Sequence, residues 1–265
     1  PVVLDFAKNA QTAMIEYAPQ TVDFIRSYNP VPETQPGSIE MAAELINQSV
    51  KPLMLVGQGV ELAGARQELL ALCEKAQIPF GQTMLGLSAA PTGHPLNMGM
   101  LGMHGNLAPN VMTNQCDLLI AVGMRFDDRV TGDLHTYAKQ AKVIHFEIDP
   151  SEVGKIVKPT VAVLGNCKQT LAQVTELVEP ARHQAWIDGF KPYAEKEYNK
   201  VIDAALNPKD GPLLMGEVVR RVSEAANNEA IMVTDVGQNQ LFGCRYFKYT
   251  HPRSIVTSGG CGTMG

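Results

Sequence analysis

Four runs of this chain, PLMLVG (52–57), DLLIAVG (117–123), KVIHFEID (142–149) and TVAVLG (160–165), are nearly continuously apolar instead of apolar at every second residue. Strands of that kind are buried on both faces, which is the pattern of a parallel sheet covered by helices on each side. Parallel neighbours cannot be joined by tight hairpins, and the segments 62–77, 107–115 and 167–178 are long enough to supply crossovers. Ile39, Ala42, Ala43 and Ile46 recur at helical spacing behind Ser38, a residue able to cap. LAGARQELLALCEKA predicts one helix, IPF (78–80) a second short strand, and Pro150 of PSEVGK the start of another helix. The expectation is one doubly wound, Rossmann-like α/β domain over residues 38–180.

The flanks read differently. Residues 1–27 open in the β-rich run PVVLDF, and 28–37 form a linker, YNPVPETQPG, with three prolines. The stretch 181–211 predicts a surface helix, HQAWIDGFKPYAEKEY, followed by the turn NPKDGP. A further α/β segment, 212–265, begins with PLLMGEVVRRVSEA, expected to be a capped helix, and continues with strands in AIMVTDVG (230–237) and RSIVTSGG (253–260). A start inside a strand and a close in TSGGCGTMG are what an interior segment of a longer protein would show. Between Gly81 and Gly105 no clean periodicity is visible, and a long ordered loop is expected there, itself a functional hint.

Composition narrows the function. With 45% hydrophobic residues, 18% charged, and 22 basic against 27 acidic side chains, the chain is neither disordered nor a nucleic-acid surface. No apolar run has the length of a membrane span and no signal peptide is recognisable, so a cytoplasmic address is expected. The five cysteines form no CxxC pair and suggest neither a disulfide frame nor a zinc site.

Ligand-binding chemistry gathers where strands end. Gly57 and Gly59 in VGQG lie between a strand and a helix, where backbone N–H groups can meet a phosphate, although Gly64 comes two residues late for GxGxxG. Glu147 and Asp149 end a strand and can accept ligand hydroxyls, as in ribose or ribityl recognition. Arg125, Asp127, Asp128 and Arg129 fall within five positions, and arginine's fork suits a phosphate or carboxylate. His104 sits in a loop and could stack on a planar ring. Asp235, Gly237, Gln238 and Asn239 follow another strand, and the glycines 259, 260, 262 and 265 permit close approach of a bulky group. From these residues alone NAD and FAD are equally compatible. A nucleotide-binding module without chemistry also stays open, as does a dinucleotide oxidoreductase, although no hydride-transfer acid is evident.

Taken together, PLMLVGQGV, TMLGLSAAPTGHPLNMGMLGMHG, GMRFDDRVTG, HFEIDPSEVGK, TDVGQNQ and TSGGCGTMG resemble the large catalytic subunits of the acetohydroxyacid (acetolactate) synthase family of thiamin-diphosphate enzymes. The resemblance extends over essentially the whole chain. It implies the end of a pyrimidine-binding domain at 1–27, an FAD-binding central domain at 38–180 and the start of a diphosphate-binding domain at 212–265. RFDDRVTG with LGMHG resembles the FAD-containing branch, in which FAD is a structural group.

The resemblance places FAD against Gly57, Gln58 and Gly59, and against Thr83, Met84 and Leu85. It adds the turn Leu101, Gly102, Met103 and His104, then Gly123, Met124, Arg125, Asp127 and Val130. Glu147, Ile148 and Asp149 complete the set, with Asn166 and Cys167 near the adenine. It sets Gly237, Gln238, Asn239 and Gln240 at the diphosphate of thiamin diphosphate, and Gly262 and Met264 beside its aminopyrimidine. Asn239 departs from the family's usual histidine and Cys261 from a common leucine.

The implied reaction is decarboxylation of pyruvate and joining of the remaining two carbons to a second 2-keto acid, pyruvate or 2-ketobutyrate, in branched-chain amino-acid biosynthesis. Another thiamin-dependent decarboxylase or carboligase is the nearest alternative. The family's catalytic glutamate and Mg²⁺ ligands are expected outside these residues. A homodimer or tetramer with a regulatory small subunit is implied.

Overall fold

The computed structural model describes residues 3, 5–19, 29–209 and 211–264, in two units, Pro1–Pro30 and Val31–Gly265. In the first, the described residues are all exposed and form one short helix, Lys8–Thr12. The expected opening strand is absent at Val3, Asp5 and Phe6, which have no partner strand among the described residues of this unit; Pro1, Val2 and Leu4 lie outside them. Tyr28, Asp210 and Gly265 also lie outside.

The second unit is built on six strands, β1 (Pro52–Val56), β2 (Phe80–Gln82), β3 (Asn97–Met100), β4 (Leu118–Val122), β5 (Lys142–Glu147) and β6 (Val161–Leu164). Every pairing is parallel and the order is β3-β2-β1-β4-β5-β6. Met54 at the sheet centre faces Phe80 on one side and Ile120 on the other. Continuous apolar runs are needed here because alternate residues enter different cores. Met54, Val56, Ile120, Val122, Ile144 and Phe146 pack with Ile46, Leu69, Leu72 and Leu171 of helices Ser38–Gln48, Arg66–Ala76 and Cys167–Leu177. Leu53, Leu55, Leu119, Ala121 and Val143 face the other way, onto Met112 of helix Leu107–Thr113 and onto Trp186 and Phe190. A separate parallel pair, β7 (Met232–Thr234) with β8 (Ile255–Thr257), lies with helices Met215–Ala225 and Gln238–Tyr246.

Several local expectations are corrected. The 81–105 stretch contains β3, an edge strand whose NMGM sequence has neither alternation nor β-branching and whose pairing with β2 is irregular. LAGARQELLALCEKA is two helices, Gln58–Ala63 and Arg66–Ala76, because Gly64 is left-handed (φ +61°) and terminates the first. Residues 150–155 form turns instead of a helix, with Gly154 at φ +73°. Gly37, not Ser38, is the residue before helix Ser38–Gln48, and the Ser38 hydroxyl donates to Gln35 O. Helix Met215–Ala225 begins after Leu214 without a side-chain cap. The expected surface helix is broken into Gln184–Asp188 and Lys191–Glu197, and it is docked: Trp186, Phe190 and Glu197 are buried and Trp186 Nε1 donates to Pro52 O at 2.8 Å. Polar spacing alone does not distinguish a docked helix from a solvated one.

At the centre of the sheet the chain leaves β1 toward one side and β4 toward the other, and the two turns touch. Gly57 N donates to Val122 O at 2.9 Å and Gly59 N to Gly123 O at 3.0 Å. A Cβ on Gly59 would stand 2.6 Å from Gly123 Cα, and Gly123 itself sits at φ +58°. Gly123→Ala is therefore expected to cost about 1–3 kcal/mol, from left-handed strain and displaced backbone. Gly93→Ala, whose methyl meets nothing within 4 Å, is expected to be neutral. Denaturant unfolding checks this, and equal midpoints for the two variants contradict it.

Candidate functional site

A cleft of about 840 Å³ opens at the C-terminal ends of the parallel strands, above the contact between the β1 and β4 turns. Parallel α/β sheets bind ligands at this switch point, because the diverging chains leave a crevice there. Its volume falls within the range of about 300–1,000 Å³ typical of ligand pockets.

The strand ends deliver the walls in turn. From β1 come Gly57, Gln58 and Gly59; from the end of β2 come Thr83, Met84 and Leu85. Leu101, Met103 and His104 follow β3; Gly123, Met124, Arg125, Asp127 and Val130 follow β4. Glu147 and Ile148 end β5, and Asn166 and Cys167 follow β6. The C-terminal segment contributes Gly237, Gln240 and Gly262.

Of the sequence candidates, Gly102, Asp128, Asp149, Asp235, Gln238, Asn239 and Met264 are not among its lining residues. Gly102 (φ +99°) is where the 101–106 turn meets the Arg129 carbonyl, 2.6 Å from where a Cβ would be. Asp149 is exposed and accepts from Ser151 N at 2.8 Å, and Asn239 donates to Asp235. Arg129, Gly259 and Gly260, singled out in the sequence, line it as well, and the cleft also recruits Leu62, Ala63, Met100, Phe146, Gly165, Val236, Leu241 and Ser258. Gly165 has a sequence signal in its strand–glycine–helix setting, the pattern that marks Gly57; Leu62 and Leu241 have none, since helical apolar spacing is the same toward core or cleft.

The amides of the glycine turn do not all face the ligand space. Those of Gly57 and Gly59 are spent on β4, which corrects the expectation that both meet a phosphate; Gln58, exposed at the first helical position, has no intrahelical acceptor. Arg125 is an exposed guanidinium paired with Asp127 at 3.0 Å. The amide of Arg129 and then the side chain of Asp128 hold the Asp127 carboxyl below its usual value. Phe126, buried at φ +55°, packs its ring edge-on to His145 at 5.1 Å, pinning the loop to β5. His145 Nε2 donates to Met124 O at 2.8 Å.

Glu147 lies beside this histidine and accepts from the amides of Ile148 (2.8 Å) and Asp149 (3.1 Å). Burial pushes its carboxyl up, but the His145 contact and the two amides outweigh that and leave it below the ordinary value. Cys167 is kept as a thiol, because burial raises it to about 11. Gln240 is committed to the end of β8, donating to Thr257 Oγ1 at 2.7 Å and Ser258 O at 2.9 Å. Among the described residues no group of three or more His, Cys, Asp or Glu side chains could hold a metal, and no helix is long and apolar enough to cross a membrane.

Fold and crevice define a doubly wound α/β domain with a ligand-sized cleft at its switch point. Residues 39–174 match the model of the thiamine pyrophosphate enzyme central domain. The whole chain is 37% identical to a probable acetolactate synthase large subunit of Methanocaldococcus jannaschii, covering 46% of that protein. It is 36% identical to the acetolactate synthase large subunit of Corynebacterium glutamicum, covering 42%, and 37% identical to the isozyme 1 large subunit of Escherichia coli, covering 46%. The chain thus spans somewhat under half the length of these curated relatives. It belongs to the thiamine pyrophosphate enzyme family.

Because the Glu147 carboxyl lies below its unfolded value of about 4.3, its ionised form stabilises the fold. That contribution is complete above the unfolded value and is lost as pH falls through the folded one. Glu147→Gln is expected to flatten the acid limb of the stability curve below about pH 4.3. Denaturation measured from pH 3 to 7 checks this; parallel limbs in the two proteins contradict it.

Proposed function

We propose that the intact protein is the large subunit of an acetolactate synthase, condensing pyruvate with a second 2-keto acid in branched-chain amino-acid biosynthesis, and that this cleft holds FAD as a structural group. The observation that carries the reading is the convergence of residues 57–59, 125–129 and 147–148 on one crevice. Whole-chain similarity to proteins named as such large subunits supports the activity.

The residues present suit the dinucleotide. The touching glycine turns bring main chain to the cleft wall at Gly57, Gly59 and Gly123, and Arg125 offers a forked cation to a diphosphate. Glu147, held ionised, offers an acceptor toward hydroxyl groups. Leu85, Leu101, Met124 and Ile148 supply apolar walls that exclude water from a planar ring. Gly237 and the first residues of helix Gln238–Tyr246 are exposed, with the N–H groups of a helix start available to the diphosphate of thiamin diphosphate. That cofactor supplies the electron sink for decarboxylation when bound. The Asn239 side chain donates to Asp235 at this helix start. Mg²⁺ is assigned to none of the described residues. The name "large subunit" borne by the relatives supports a regulatory small subunit as partner, and self-association into a dimer or tetramer and a cytoplasmic location complete the proposal.

The test is to purify the intact protein and record its visible spectrum and its conversion of pyruvate to acetolactate. One FAD per chain and activity dependent on added thiamin diphosphate and Mg²⁺ are expected. Arg125→Ala is expected to weaken FAD about tenfold, or about 1.4 kcal/mol for one charge-assisted contact. Retention of NAD alone, or FAD binding with no carboligation, contradicts the proposal.

A further inference from the structure

A smaller cavity, about 470 Å³, lies behind the turn that carries Met103 and His104, between β3, helix Lys191–Glu197 and the end of helix Gln238–Tyr246. Three of its polar side chains bond within the wall. Asn97 Nδ2 donates to Gln82 Oε1 at 2.8 Å, Gln82 Nε2 donates to Gly86 O at 2.9 Å, and Tyr249 donates to Gly243 O at 3.1 Å. Groups satisfied in this way lock a structure, although the buried Nε of Arg245 in the same wall has no partner among the described residues.

At the centre is Glu197, a charged residue only 8% exposed. One carboxylate oxygen accepts from Leu107 N at 3.0 Å and from Asn106 Nδ2 at 3.3 Å; the other is paired with Arg245. Arg245 Nη1 also donates to Gly105 O at 3.4 Å. The acid therefore binds the first amide of helix Leu107–Thr113 and the turn before it to the helix that follows β7. On its other side that turn is held by Met103 N donating to Arg129 O at 2.8 Å, part of the cleft wall.

We propose that Glu197 and Arg245 are a positioning pair that fixes the 101–106 turn, so that seating of the C-terminal segment sets where Met103 and His104 stand in the cleft. Neither residue lines that cleft, and both act through the turn. A buried charge left by removing its partner is strongly unfavourable, so the pair makes or breaks as a unit. Met100, the end of β3, lines both cavities and is bonded to the turn through Asn106 N to Met100 O at 2.7 Å and Met100 N to Asn106 Oδ1 at 2.9 Å, which ties the turn to the cleft wall. Only the part of the proposal that concerns bound flavin rests on the reading given above.

The test uses intact protein carrying Glu197→Gln or Arg245→Met, with Lys191→Ala, which breaks an exposed pair between Lys191 at the start of the same helix and Asp188, as control. Hydrogen exchange is read first. Amides 103–107 are expected to exchange at least about tenfold faster in both variants, with β1 and β4 unchanged and the control native. The visible circular dichroism of bound flavin is read second and is expected to change in the same two variants only. Should both fold poorly, Arg245→Lys keeps the charge without the fork that reaches Gly105 and Glu197 together, and an intermediate effect on both readouts is expected. Native exchange in the turn overturns the proposal, as does faster exchange with an unmoved flavin signal. If the unsubstituted protein holds no flavin, the cofactor reading fails by itself, and the exchange rates alone decide whether the pair holds the turn.

Discussion

Everything else in this molecule hangs on the contact between the turns after β1 and β4. Two backbones approach there so closely that neither Gly59 nor Gly123 has room for a methyl group, and the amides of Gly57 and Gly59 bond to the neighbouring strand's end. This seam closes the floor of the crevice while the strands diverge above it. About 840 Å³ of space opens beside this seam, lined there by Gly57, Gln58, Gly59, Gly123 and Met124. The two amides spent on the seam mean that ligand recognition passes to the walls: the Arg125 loop, the Glu147 strand end and the turn 101–106.

Those walls are held by quite different forces. The Arg125 loop is anchored by a buried ring, Phe126, in a backbone conformation that costs energy, and by His145 beneath it. Glu147 is held by its own chain's amides and by that same histidine. The 101–106 turn is clasped from outside by Glu197 and Arg245, which belong to segments beyond the six-stranded sheet. A central domain of the thiamine pyrophosphate enzyme family is in this way joined to the segment that follows it through one wall of its cleft.

Much of this was legible in the amino-acid order, for physical reasons. β1, β4 and β5 are readable because burial on both faces demands apolar residues at nearly every position, and β6 because its run is apolar although only Val161 and Val163 enter the core. Gly57, Arg125 and Glu147 are readable as candidates because strand ends are where a parallel sheet meets ligands, whereas Asn166 is reached only through the family resemblance. β3 is not, since an edge strand pairs through its backbone and NMGM carries no pattern. The split at Gly64 depends on a left-handed residue inside an otherwise regular helical period. The role of Glu197 is invisible locally, because its partners Asn106, Leu107 and Arg245 lie 91, 90 and 48 residues away. The outward turn of Asp149 hangs on a local bond to Ser151 that competes with any ligand.

The central claim is that one dinucleotide spans the crest where the sheet's two halves part. An experimental density map of the intact protein with flavin supplied tests it most directly. The account predicts a diphosphate between the Gln58 turn and Arg125, with the sugar hydroxyls toward Glu147. Density for the dinucleotide elsewhere, or a crevice filled by the protein's own side chains, would contradict it.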